Sequence, residues 1–129
     1  MDMTITFPGG KKVDADYNGF RIATDQSVRG GGDGSAPEPF SLFLASIGTC
    51  AGIYVLGFCQ QRGIDTTGLT IIQSMNFNPT TRLIDQINLD IKLPESFPEK
   101  YKSAVINSAK LCAVKRHLEN PPEFVITAV

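Results

Sequence analysis

Three cysteines carry the chemical interest of this chain. Cys50 lies inside an uncharged run from Phe40 to Cys59, and Cys112 stands just before the basic triplet Lys115, Arg116 and His117. A thiolate attacks peroxides and disulfides, and the charge and burial around a thiol decide whether it does so. No CxxC or HxxxH spacing accompanies the three, so redox chemistry is the better expectation than a metal centre. The basic triplet has two readings. It lowers the pKa of Cys112 or holds an acidic reductant, or it is a solvated helix end complementing the dipole. His117, with no Ser or Asp arranged around it, reads as a surface or capping residue. The glycine run Gly30-Gly31-Gly32-Asp33-Gly34 is phosphate-loop-like in composition only, because the GK[ST] lysine and the preceding strand are missing.

The elements that must position these thiols follow from patterning. Thr4 to Phe7, Val13 to Tyr17 and Phe20 to Thr24 read as strands of an antiparallel meander, with Asn18-Gly19 as a two-residue hairpin turn. Val28 to Pro39 is a loop, too rich in glycine and proline for regular structure. Phe40 to Arg62 is one long helix, led in by Pro39, stopped by Gly63 and apolar on every side, which predicts burial all round. Strands follow at Leu69 to Phe77 and Arg82 to Leu93. Ser96-Phe97-Pro98-Glu99 has capping-box spacing and starts a second helix through Leu111, and Phe124 to Val129 is a last strand. Strands in adjacent hairpins with helices between them make the fold class α+β, a single domain over residues 1–129.

On the long helix, residues nine apart lie about 900° and about 13.5 Å apart, half a turn out of phase. Cys50 and Cys59 therefore face opposite sides, and a disulfide, which needs Cα atoms within about 7 Å, cannot join them in an intact helix. The same separation excludes a zinc site of Cys50, Cys59, Cys112 and His117. That leaves Cys112 as the candidate partner of Cys50. Tyr101, Ala104, Val105, Ser108 and Cys112 form one stripe on the second helix, which turns Cys112 inward. Cys59 reads as a small core hydrophobe. Around Cys50 the small residues Ser46, Gly48, Thr49, Ala51 and Gly52 either open room for a substrate or serve helix packing, Gly48 and Gly52 admitting a neighbouring backbone.

Composition narrows the classes further. With 129 residues, 42% hydrophobic, the chain suffices for one core, and a net charge of −1 gives no basic surface for nucleic acid. The uncharged run has the length of a membrane span, but its Ser, Thr and Gly content and the lack of flanking cations or Trp favour a soluble core helix. A second subunit is expected to help wrap it. With no leader-like start, the expectation is a cytoplasmic protein with free or catalytic thiols rather than structural disulfides.

The stretch Ala36-Pro37-Glu38-Pro39-Phe40-Ser41-Leu42-Phe43-Leu44-Ala45-Ser46-Ile47-Gly48-Thr49-Cys50, followed by Cys112-Ala113-Val114-Lys115-Arg116, resembles the OsmC/Ohr family of peroxide-reducing proteins. The resemblance implies antiparallel sheets packed on two long central helices in an intertwined homodimer. It implies Cys50 as the peroxidatic thiol and Cys112 as the thiol that resolves its sulfenic acid as a disulfide. The expected function is a cofactor-free, metal-free thiol peroxidase for organic hydroperoxides, with hydrogen peroxide as a second candidate substrate, reduced by an external dithiol. Two departures stand out. The family's helix-start glutamate falls on Phe40 and the following acidic position on Ser41, so neither can hold an arginine over the sulfur. Glu38 lies two places early, and of the nearby arginines Arg21 and Arg29 the choice is Arg29, whose loop leads straight into the helix. Ala113 stands where the family often has proline. The alternative is a redox sensor or small-ligand binder that kept the fold without the Glu–Arg clamp. Phe40, Phe43, Tyr54 and Phe58 are candidate walls for an apolar substrate tail.

Overall fold

Strands β1 (Thr4–Gly9), β2 (Lys12–Tyr17) and β3 (Phe20–Thr24) form an antiparallel sheet in the order β1-β2-β3. Asn18 and Gly19 close the second hairpin with φ of 50° and 79°, the left-handed pair that a twisted two-residue turn requires. The β1–β2 register slips between Thr6 and Gly9, around Pro8, which has no N–H to give to a ladder. The computed structural model describes all residues, 1–129, and its backbone separates into two units, Met1–Ala45 and Ser46–Val129.

The first unit continues into a loop built around one carboxylate. Asp25 is fully buried; its Oδ1 accepts the Gln26 amide at 2.7 Å, and its Oδ2 accepts the Asp33 amide at 3.3 Å and the Ser35 amide and hydroxyl at 3.1 and 2.6 Å. Its own N–H donates to the Pro37 carbonyl at 3.2 Å, which ties the end of β3 to the residues just before the next helix. Four donors to one carboxylate hold it ionised, down to about 2 from an ordinary 3.8, the Ser35 hydroxyl contributing most. A side chain at Gly32 would place its Cβ 2.2 Å from the Gln26 carbonyl oxygen, so the wrap closes only over glycine.

Helix α1 (Pro39–Gln61) begins in the first unit and runs into the second. Proline at its first position loses no bond that a helix would have used, and the Glu38 carbonyl accepts the amides of Ser41 and Leu42. Gly63, at φ 64°, ends it, with the Cys59 carbonyl taking the amides of Arg62 and Ile64.

In the second unit β4 (Thr70–Asn78) and β5 (Leu83–Lys92) form an antiparallel hairpin, and the Asn78 side-chain oxygen accepts the amides of Thr80 and Thr81 in its turn. A 3₁₀ turn (Glu99–Tyr101) leads into α2 (Lys102–Ala109), and α3 (Ala113–Glu119) follows. The core joins Val55, Phe58 and Cys59 of α1 to Phe97 and Val105, with Ile71, Ile91 and Leu93 against them. Ser108 Oγ donates to the Tyr54 carbonyl at 2.9 Å and fixes α2 to α1. The protein is therefore α+β with antiparallel sheets, as the pattern predicts.

Four local expectations change. Burial on α1 is a stripe, Ile47, Ala51, Val55, Phe58 and Cys59, because one chain covers one face; Phe40, Phe43, Ile53 and Leu56 stay exposed. By length and composition this helix could cross a bilayer, with 28% of its most apolar window buried. The predicted second helix is broken: Ser96 caps nothing, and Cys112 lies past the end of α2. Gly48 faces the side chain of Gln73 and Gly52 the tip of Ile71, so no backbone crosses there. Finally, Phe124 to Val129 forms no strand and is exposed, because a strand exists only with a partner ladder and no strand of this chain pairs with it.

Candidate active site

The second unit brings Cys50 and Cys112 together. Cys50, half-buried on α1, and Cys112, 1% exposed, lie close enough for each thiol to shift the ionisation of the other, and neither is in a disulfide. Cys112 reaches this place because the chain leaves α2 at Lys110, turns, and restarts as α3 with Cys112 as its N-cap, φ −48° and ψ 130°. The stripe Tyr101 to Cys112 predicted its inward direction, but the turn between the two helices places it.

The surroundings split the pair electrostatically. Burial by itself pushes the Cys50 thiol up, but the hydrogen bond from Cys112, the amides of Val114 and Ala113 and the charge of Arg116 outweigh it, so Cys50 is lowered. Cys112 moves the other way: burial raises it first, and its bond to Cys50 and the nearby Cys50 charge raise it further, against the amides of Lys115 and Val114. Of the two, Cys50 thus gives up its proton the more readily and Cys112 holds its proton the more tightly. This arrangement presents a nucleophilic sulfur with a protonated thiol in bonding reach.

Cys59 has neither feature. It is fully buried in the core cluster, and burial raises its thiol against a smaller opposing effect of Arg62, whose guanidinium lies 3.7 Å from the centroid of the Phe58 ring.

A cavity of about 720 Å³ opens beside Cys112, walled by Ile47 and Ala51 of α1, Leu89 and Ile91 of β5 and Ile106 of α2, with Lys92, Lys110 and Lys115 among its polar residues. Its walls are aliphatic. The four aromatics expected to line a site are elsewhere: Phe58 is in the core against Tyr101, Tyr54 is outside the cavity, and Phe40 and Phe43 stack on each other with centroids 5.5 Å apart.

The other two sequence candidates belong to the first unit. Arg29 is exposed on the loop, and Glu38 is half-buried with its Oε1 accepting the Ser27 amide at 3.3 Å; no ion pair joins them. Phe40 and Ser41, at the family's acidic positions, are exposed. The residues that sequence reasoning missed are Ala113, Val114 and Arg116. The basic triplet after Cys112, read for its effect on Cys112 rather than on the thiol opposite, signalled Arg116; Ala113 and Val114 act through backbone amides, which leave no mark in the sequence.

The family model for OsmC-like protein matches residues 32–127. The chain belongs to the OsmC-like family. No curated protein matches it. Among solved structures it is similar to a Psychrobacter arcticus protein described as an osmotic stress induced and detoxification response protein, at 22% identity, covering 88% of this chain and 85% of that one, TM-score 0.73. It is also similar to an organic hydroperoxide resistance protein OsmC from Legionella pneumophila, at 16% identity over 92% and 89% of the two chains, TM-score 0.52. A third is a Vibrio cholerae protein described as an organic hydroperoxide resistance protein, with captopril bound in one of its active sites, at 14% identity over 94% and 86%, TM-score 0.54. At these identities the likeness is one of OsmC-like fold.

Proposed function

We propose that this OsmC-like protein is a cofactor-free thiol peroxidase for organic hydroperoxides. The observation that carries the reading is the approach of the Cys50 and Cys112 thiols to each other, with Cys50 the thiol pushed down and Cys112 the one pushed up. The Cys50 thiolate attacks the terminal oxygen of the hydroperoxide; the O–O bond breaks, the alkoxide leaves and takes a proton as an alcohol, and Cys50 becomes a sulfenic acid. The Cys112 thiol then attacks that sulfur, forming the disulfide and releasing water. An external dithiol reduces it by exchange, restoring both thiols and itself ending as a disulfide. The aliphatic cavity beside Cys112 suits an apolar substituent on the peroxide. Hydroperoxide resistance in the names of the Legionella and Vibrio structures agrees with this chemistry. A sensor without activation of Cys50 would have that thiol at or above its ordinary value, which is opposite to the direction here.

The working form is a homodimer in this reading. Phe40, Phe43, Ile53 and Leu56 leave much of α1 bare, and apolar area in water costs about 25 cal/mol per Å². A second copy laid on this helix relieves that cost. Sedimentation without detergent is expected to give twice the chain mass, whereas a monomer, or material that stays with lipid, would overturn the assembly.

The deciding experiment is consumption of an organic hydroperoxide by the reduced protein with a dithiol. Loss of turnover in Cys50→Ser, with a Cys50–Cys112 disulfide found by mass analysis in the wild type, is the expected result. Undiminished turnover in that variant, or none in the folded wild type, would overturn the reading.

A further inference from the structure

We propose that residues 124–129 add as a strand to the free edge of β5 in a second copy of this chain, each copy giving its tail and receiving the other's. The inference rests on the homodimeric reading and goes further by naming the segment that joins the two copies; it is independent of the thiol chemistry. The segment has the make-up of a strand. Val125, Ile126, Thr127 and Val129 are β-branched, none of the six residues is charged, and Phe124 and Ile126 are 81% and 92% exposed. Six residues of extended chain reach about 20 Å and bring a row of N–H and C=O groups that need partners.

The place for it is β5. This strand pairs with β4 on one side only, and its ten residues include no proline that would block a further ladder. The cavity beside Cys112 runs along that open edge. Consecutive residues 89–92 of β5 border it, and because consecutive residues of a strand point to opposite faces, only the edge presents them all to one space. Ile106 and Ala109 of α2 and Leu118 of α3 are among its other walls. An added strand lays alternate side chains toward those walls, either Phe124, Ile126 and Ala128 or Val125, Thr127 and Val129. The chain's own tail is elsewhere. None of residues 120–129 borders the cavity, although α3 does, and Pro121 and Pro122 hold the chain extended as it leaves α3 rather than letting it double back. A second copy related by a twofold axis supplies the strand and takes one in return, which closes the assembly at two chains. The partner's tail then forms an outer wall of the cavity beside Cys112.

The test combines photo-cross-linking, amide exchange and sedimentation on the full chain. With p-benzoylphenylalanine in place of Phe124, irradiation should give a product of twice the chain mass whose cross-linked peptide maps to residues 83–93 or 106–118. A product of single-chain mass, a cross-link that maps elsewhere, or no cross-link would overturn the proposal. In the wild type the amides of residues 124–129 should exchange at least about tenfold more slowly than in Ile126→Pro, which removes a ladder donor from an exposed tail. Ile126→Pro should also raise the dimer dissociation constant roughly tenfold, since each copy loses a backbone bond. Equal exchange and equal dissociation in the two proteins would count against the strand. A dimer whose tail fails these tests sinks this inference and leaves the homodimer standing, whereas a monomer sinks both.

Discussion

Two places in this protein surround an acidic group with backbone amides, and they do so to opposite ends. At Asp25 every donor belongs to one short loop, the carboxylate is fully enclosed, and its oxygens accept from three amides and a hydroxyl. At Cys50 the donors are two amides and a neighbouring thiol, and the sulfur stays half-buried. A fully satisfied anion is a fastener, because nothing incoming can improve on its partners. A thiol whose strongest neighbour is another thiol, in reach of solvent, has a reaction open to it. Similar physics yields structure in one region and reactivity in the other according to what the last ligand is.

The sharpest way to separate the two regions is to remove the reactive partner alone. Cys112→Ser should abolish multiple turnover, leaving one peroxide consumed per chain and a Cys50 sulfenic acid trappable by dimedone; sustained turnover would show that Cys112 resolves nothing. On the structural side, Gly32→Ala pushes a Cβ into the Gln26 carbonyl and should cost about 2–3 kcal/mol in urea unfolding, with new protease cleavage between residues 26 and 37. Cleavage and stability like the wild type would mean that the loop does not close over Asp25. Acid comes next. The Asp25 carboxyl is lowered in the folded state, to about 2 from 3.8, so its stabilisation is present above the unfolded value and is lost as pH falls from about 4 to about 2. Asp25→Asn should flatten the thermal-melting profile in that window, and an identical acid limb would remove Asp25 from the account. The smallest effect belongs to Cys59→Ala, expected to cost about 1–2 kcal/mol of stability through a small cavity and to leave peroxide turnover unchanged. A fall in turnover there would break the division between the core thiol and the reactive pair.

Much of the architecture was legible because it rests on local chemistry. Asn18-Gly19 makes a left-handed turn whatever surrounds it, Pro39 and Gly63 bracket α1 through the hydrogen bonds that they lack or the φ that they permit, and the three hairpins appear where alternation placed them. The failures share a different cause. Ser96 has capping-box spacing but sits in a turn where the Phe97 amide goes to the Pro94 carbonyl, and Phe97 is drawn into the core instead. Phe124 to Val129 has the composition of a strand and pairs with none in its own chain. The uniform apolarity of α1 could not say which face this chain covers.

For the thiols, sequence by itself determined that Cys50 and Cys59 stand on opposite sides of one helix, because nine residues at 100° fix that phase, and that Cys112 alone was left to meet Cys50. It also determined that the start of α1 carries no acid to hold an arginine. Only the tertiary structure decided that α2 stops at Ala109, that Cys112 begins a new helix, and that this turn sets the Ala113 and Val114 amides to lower the thiol on α1. The reason is distance along the chain. Helical phase and turn propensity act over a few residues, whereas the pKa of Cys50 is set by groups more than sixty positions away, whose approach depends on how α2 packs against α1.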